Sequence, residues 1–412
     1  MPATDNPVPL PGGLLLRQAG PADLQQIGEL LAARGEPDDA LDHRLVVEDP
    51  RAGWESCAVV VDGDRVVSTA TLLDERLHLG DVELPAGQVE LVATARDHEG
   101  RGLVRALMGW AHARSADLGH VVQVMVGIPY FYRLFGYEYA IDIPPALSVP
   151  EPPGDAASEV PVAGRLRPAR PDDLPALAAL QDAAQACADV RMPHSPPRRR
   201  WILEHEATVT WLLERDGVPV ATARVRGGDE VLVAEAAAVD EPAAVELLRR
   251  VAGLTPQAPV RVVLRQGTVT GEAWRPMTAA DPEQLAEQYY LRIPDLAVLL
   301  DHLRPVLAAR LAASGLEPAG GQVVLSTFRR HYRLPVLDRG LGPVETGGVM
   351  QAPGAARGAG VAPDHVGAVL FGAGLVATSR VRPDVYPGPD RELFDVLFPR
   401  LRADLLTYYL PY

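Results

Sequence analysis

Two short stretches of the chain carry residues whose types and spacing suit a reaction. The first is Glu99-Gly100-Arg101-Gly102-Leu103-Val104, a turn with two glycines, followed by Leu103, Ala106, Leu107, Trp110 and Ala111 at helical spacing. Glycines let backbone N–H groups approach a ligand closely, and the helix that follows turns its positive end toward the same point. That is the arrangement a pyrophosphate needs. An ordinary tight turn ahead of a helix has the same pattern. The second stretch is Gly127-Ile128-Pro129-Tyr130-Phe131-Tyr132-Arg133-Leu134-Phe135-Gly136-Tyr137. A phenol with a pKa of about 10 keeps its proton at neutral pH and can act as a general acid, and Tyr132 is the candidate. Tyr130, Phe131, Phe135 and Tyr137 read as core aromatics.

The elements that must position these residues are legible around them. Val89–Thr94 is an apolar strand leading into the glycine turn, and Val121–Val126 is a buried strand leading into the tyrosine segment. Glu90, on the first strand, is a candidate general base or a surface residue. Upstream, Cys57–Asp62 and Arg65–Leu72 read as a hairpin around Asp62-Gly63-Asp64. His98, beside the glycine turn, reads as exposed surface.

Part of this plan occurs twice. Leu15-Leu16-Arg17-Gln18-Ala19-Gly20-Pro21-Ala22-Asp23-Leu24 returns as Arg165-Leu166-Arg167-Pro168-Ala169-Arg170-Pro171-Asp172-Asp173-Leu174. Each copy reads as a short strand, a turn and a helix opened by aspartate, a duplication at domain-sized spacing. The second copy has its own hairpin, Val209–Glu214 and Val218–Arg224 around Asp216-Gly217. Where the first copy has its glycine turn, the second has Val233–Ala244 without a glycine, and no tyrosine motif follows. The second copy reads as the fold without the site. Pro144–Gly164, rich in Pro, Gly and small residues, reads as a linker. From Tyr289 the texture changes: a helix opened by Asp295 runs through Leu311, Gln322–Leu334 is strand-like, Gly340–Pro363 is loop, and Arg391–Leu406 has helical spacing. The domains expected are 1–150, a linker at 151–164, then 165–288 and 289–412.

Composition bounds the partners. With 39 basic against 54 acidic residues the net charge is −15, which argues against nucleic acid and favours cationic amines at any acidic cleft. Glu29, Glu36, Asp38 and Asp39 read as a solvated face that also attracts cations. Every basic residue among the 39 is arginine, since the sequence contains no lysine. A Schiff-base lysine and a P-loop lysine are thereby excluded. Cys57 and Cys187 are too few for a disulfide framework or a zinc site, and the histidines show no metal-ligand spacing, so no metal is expected. Arg198-Arg199-Arg200 reads as solvated. No apolar run approaches the ~18 residues of a membrane span, and the start lacks the order of a signal peptide, so a cytoplasmic protein without membrane contact is expected.

The two motifs together resemble the GNAT N-acetyltransferase superfamily, and the three-part organisation resembles its Eis-type members. That resemblance implies an α+β chain: tandem GNAT folds, the first active and the second degenerate, with a C-terminal sterol-carrier-protein-like domain. It implies an enzyme, an acetyl-CoA-dependent N-acetyltransferase in which a primary amine of a small cationic acceptor attacks the thioester directly. Acetyl-CoA would contact Val92, Ala93, Thr94, Glu99, Gly100, Arg101, Gly102, Leu103, Val104, Gly127 and Ile128. Tyr132 would protonate the departing thiolate. The C-terminal carboxylate of Tyr412, or Glu90, would act as base. Related proteins imply a homo-oligomer. Glu99 and Val104 depart from the family pattern, and a carboxylate at Glu99 would repel the diphosphate unless it points away, with Arg101 or Arg105 compensating. The competing readings are a non-catalytic CoA- or lipid-binding protein on the same fold, and a protein-lysine acetyltransferase.

Overall fold

The computed structural model describes residues 7–153, 164–204, 208–279 and 287–407. The chain divides into two compact units: residues 1–142 with 288–403, and residues 143–287 with 404–412.

The first unit opens with β1 (Val8–Leu10) and β2 (Leu14–Gln18), followed by α1 (Leu24–Arg34) and α2 (Asp39–Glu48). A hairpin of β3 (Cys57–Asp62) and β4 (Arg65–Leu79) leads to β5 (Val82–Thr94), α3 (Leu103–Asp117), β6 (Val122–Met125) and β7 (Glu138–Asp142). Strands β1 to β5 follow one another antiparallel, and β6 joins parallel to β5. Val59, Val60, Val67 and Ala70 of the central strands are fully buried with Ile27 of α1 and Leu107 of α3, so helices cover both the strand run and its ends.

β6 and β7 are not neighbours. The strand Gln288–Arg292 lies between them, antiparallel to both, with Tyr290 opposite Met125 and Tyr139. The rest of 288–403 forms a helix, Leu296–Ser314, capped by Asp295, and a smaller sheet whose hairpin pairs Gln322–Ser326 with His331–Leu337. The sequence expectation of one strand over 322–334 is therefore corrected to two, because Thr327–Arg330 closes on itself through a Thr327 N–H bond to the Arg330 carbonyl. The expected helix over 391–406 is only Arg391–Leu397, since Pro399 cannot donate to the helix and Ala403–Leu405 is extended.

The second unit runs β8 (Ala146–Ser148), β9 (Gly164–Pro168), α4 (Leu174–Gln185), β10 (Val190–Met192), α5 (Pro196–Glu204), β11 (Val209–Arg215), β12 (Val218–Arg226), β13 (Val231–Ala238), α6 (Glu241–Ala252) and β14 (Val260–Val263). Its sheet has the order β8-β14-β13-β12-β11-β9. The repeat seen in the sequence has a physical core. Arg17 binds Asp23 through both carboxylate oxygens at 2.7 and 2.8 Å, and Arg167 binds Asp173 in the same way at 2.6 and 2.8 Å. In both copies the aspartate also accepts the backbone N–H three residues earlier, from Gly20 and from Arg170. Each pair pins the entry of a helix to the strand that precedes it, β2 for α1 and β9 for α4.

Buried polar groups set a pH dependence on the first unit. His43 and Cys57 are fully buried, with His43 Nε2 3.3 Å from the sulfur. Burial lowers the imidazole pKa from 6.5 to about 4 and lifts the thiol to about 11, so both are neutral at pH 7. His112 is likewise held at about 4, first by burial and then by Arg292. A histidine depressed on folding binds fewer protons in the folded chain, so its stabilisation is complete above about pH 6.5 and is lost as pH falls toward 4. For His43 this amounts to at most about 3 kcal/mol. Urea midpoints should therefore fall between pH 6.5 and 4, and the fall should be shallower in His43→Asn. An unchanged slope in that variant would remove His43 as its source.

Candidate active site

β5 parts from its neighbours in a way that shapes a cleft. Along β4 the register slips, with Thr69 opposite Ala93 but Thr71 opposite Glu90, so Leu91 and Val92 share one partner position. Leu91 takes a φ of 53°, a conformation uncommon for a branched side chain and typical of a bulge that re-aims a strand. Along β6 the pairing runs only from Ala86 opposite Val122 to Gln88 opposite Val124. Beyond Gln88 the edge of β5 has no strand partner on that side among the described residues. Val92, Ala93 and Thr94 all lie on this stretch. Thr94 Oγ1 is 2.7 Å from the Ser68 hydroxyl, which itself donates to the Ala93 carbonyl. Glu90 is 3% exposed and accepts a 2.8 Å bond from Gln88 Nε2.

The glycine turn follows. Gly100 and Gly102 have φ of 72° and 79°, and an added Cβ at either would touch nothing, so backbone conformation and not space selects glycine there. Gly102 caps α3 without a side-chain bond, and the first turn of α3 has no acidic residue. The leading N–H groups of the helix are thus left for an anion, at the positive end of a 15-residue dipole. Leu103 is buried in the core, and Val104 packs against the apolar cluster beneath the tyrosine segment. Glu99 is exposed and turns to Arg34, with 2.5 Å between Oε1 and the guanidinium. Arg101 lies against Gly12, and Arg105 stacks over the Phe135 ring at 5.5 Å.

Tyr132 sits in the single-turn helix Phe131–Phe135 and is 5% exposed, packed with Leu72, Val89, Met108, Met125 and Tyr137. Its ring lies so close to Gly127 that a Cβ there would be 2.3 Å away, which accounts for that glycine. Burial, then Glu90, then Tyr290 push its phenol well above the ordinary value, so it stays protonated across the physiological range. Among the described residues its hydroxyl has no hydrogen-bond partner. Glu90 and Tyr132 are thereby brought into one electrostatic environment, with the edge of β5 beside them.

Some expected positions differ. Tyr130 is not a core aromatic: it is 68% exposed, has a φ of 70°, and carries the Arg133 guanidinium over its ring. Ile128 is 66% exposed. His98 is buried, not surface, held between Asp97 at 3.0 Å and Asp62 at 3.1 Å. Asp39 accepts the Glu36 N–H and Glu29 accepts from Gln25, so the acidic face of the first helices is spent partly on local bonds. Tyr412 lies outside the described residues.

One residue escaped the sequence reading. Tyr290 stacks on Tyr139 at 4.1 Å, approaches the Tyr132 ring at 6.0 Å, and its hydroxyl accepts the Tyr130 N–H at 2.7 Å. It thus ties down the loop that presents Tyr132, from a strand 158 positions later. The strand-like run Gln288–Arg292 was its only signal, and it fell at an expected domain boundary.

A family model described as an acetyltransferase (GNAT) domain matches residues 16–140. N-acetyltransferase Eis of Mycobacterium tuberculosis is 39% identical over 77 residues, which is 18% of this chain and 19% of that protein, so the match spans about a fifth of the relative's length. Among solved structures, a GCN5-related N-acetyltransferase from Kribbella flavida has a TM-score of 0.66 at 20% identity, covering 96% of this chain and 100% of its own. Eis1 from Mycobacterium abscessus has a TM-score of 0.60 at 16% identity, with the same coverage. At those identities the likeness is one of fold. Residues 16–140 thus match an acetyltransferase (GNAT) domain model, within an α+β fold similar to those solved structures over nearly the whole chain.

Proposed function

We propose that the chain is an acetyl-CoA-dependent N-acetyltransferase acting on a primary amine of a small cationic acceptor. The observation that supports this best is the gap beside β5 beyond Gln88, bordered by an uncapped helix N-terminus at one end and Tyr132 at the other. A pyrophosphate on the N–H groups of Gly102–Val104 would leave the pantetheine arm to extend along Val92–Thr94, completing the parted sheet edge with its own amides. The thioester would then lie near Tyr132. The tandem arrangement, with 1–150 active and 165–288 degenerate, is part of the same proposal and is supported by the twin Arg–Asp pairs, and a sterol-carrier-like 289–412 is proposed with it on the resemblance of the sequence alone.

In the reaction the neutral amine attacks the thioester carbonyl. Its oxygen takes up the electron pair and is held by backbone N–H groups near Val92–Thr94. The tetrahedral intermediate collapses, the C–S bond breaks, and the thiolate receives the Tyr132 proton. A base takes the ammonium proton before attack and passes it to solvent. The nitrogen, positively charged once the C–N bond forms, gives up a second proton to the same base as the intermediate collapses, while Tyr132 is reprotonated from solvent. Glu90 is the base candidate that lies among the described residues, and the Tyr412 carboxylate is the alternative. The net charge of −15 favours capture of a cationic acceptor.

Titration calorimetry of the full chain should give saturable binding of acetyl-CoA, and no heat at millimolar cofactor would reject the proposal. Because Arg34 draws Glu99 aside, Arg34→Ala should weaken acetyl-CoA several-fold while Glu99→Gln should not, and the opposite ranking would place Glu99 on the ligand. In a thiol-release assay across an amine panel, Tyr132→Phe should lower kcat by about 10²-fold or more with little change in cofactor affinity. A kcat within twofold of wild type would remove Tyr132 as the acid.

A further inference from the structure

The second unit contains a cavity of about 50 Å³ between α4, α5 and the β11–β13 sheet. Its place in the fold can be fixed by register. In the first unit Cys57 on β3 faces Thr71 on β4, which faces Glu90 on β5. In the second, Thr210 on β11 faces Arg224 on β12, which faces Glu235 on β13. The Arg–Asp pairs set α1 and α4 in the same phase, so Ile27 and Leu31 correspond to Leu177 and Gln181. Where the first copy buries Leu31 and Cys57 in a closed core, the second places Gln181 and Thr210 at the wall of a void.

The polar groups there are not all used. Glu235 accepts from the Arg224 guanidinium at 2.7 Å and lies 2.9 Å from His194 Nε2. Three further atoms of cavity-lining residues are buried without a hydrogen-bond partner among the described residues: Gln181 Nε2, Arg199 Nε and His194 Nδ1. Gln181 and His194 are each 7% exposed. Native folds rarely leave buried polar atoms unpaired, and the amide and guanidinium N–H groups of Gln181 and Arg199 are donors of the kind that bind a carboxylate. The same void is walled by Leu177, Ile202 and Leu203, which suit an aliphatic tail. At roughly 10–15 Å³ of accessible volume per water-sized occupant, the space admits a molecule of about three to five heavy atoms. The expectation that Arg198–Arg200 is a solvated run is corrected here: Arg198 is 8% exposed, and Arg199 reaches inward with Asp182 at 2.5 Å from its outer nitrogen.

We infer that this cavity is a binding site for a short aliphatic monocarboxylate, its head on Gln181 and Arg199 and its tail against Leu177, Ile202 and Leu203. The site lies wholly in the second unit and does not depend on what the first unit catalyses. Calorimetry of the full-length chain with propionate, in a buffer free of carboxylates and with chloride as the parallel titrant, should give saturable binding of propionate alone. Gln181→Leu should weaken it at least about tenfold, the loss of one strong donor, and Arg199→Met serves if that variant fails to fold. A crystal soaked in propionate should show its carboxylate density at Gln181 and Arg199 with its ethyl group beside the three aliphatic residues. Equal binding of chloride, unchanged affinity in a folded variant, or only water in the wild-type cavity would each overturn the assignment.

Discussion

The first unit is organised around one constraint: β5 cannot pair on both sides along its whole length. The slip opposite Thr69–Thr71 puts an extra residue into β5, and Leu91 absorbs it in a left-handed conformation. A bulge turns the strand, so its far end swings away from β6, and the sheet opens where a closed ladder would otherwise run. Everything of interest sits on the rim of that opening. Glu90 precedes the bulge, the uncapped helix stands beyond it, and Tyr132 faces it from the next connection. Backbone donors that a continuous sheet would consume are thereby kept in reserve, at the cost of strain at one leucine.

Much of this was legible in the sequence, for reasons that can be named. The hairpin of β3 and β4 was announced by Asp-Gly between alternating residues, and Gly100 and Gly102 by the left-handed turn they permit. The repeat was visible because its working parts, Arg17 with Asp23 and Arg167 with Asp173, are local ion pairs. What was not legible is non-local. Nothing near Glu99 shows that Arg34 draws its carboxylate aside, and nothing near His98 shows that two aspartates enclose it. Tyr290 could not be tied to Tyr132 by any periodicity, because a strand's partner is chosen by tertiary packing. Arg199 was misread because three successive arginines look solvated until a helix turns one of them inward.

The two copies diverge by small means. At matching register positions a threonine and glutamate in one sheet become an arginine and glutamate in the other. In the second, the glutamate is locked by Arg224 and His194, and a buried carboxylate so paired is held ionised, far below its usual range despite burial. Such a group cannot exchange a proton near neutrality.

The strand Gln288–Arg292 also bears on how the protein is made. Synthesis runs from the N-terminus at roughly 5–20 residues per second, so β6 and β7 emerge long before the strand that belongs between them. During that interval two hydrogen-bonding edges stand open on an unfinished sheet, the kind of surface that pairs with other chains. Residues 143–287, the larger part of the second unit, are translated inside the loop whose closure completes the first. Completion of the N-terminal sheet thus waits for a strand that the ribosome reads only after residues 143–287.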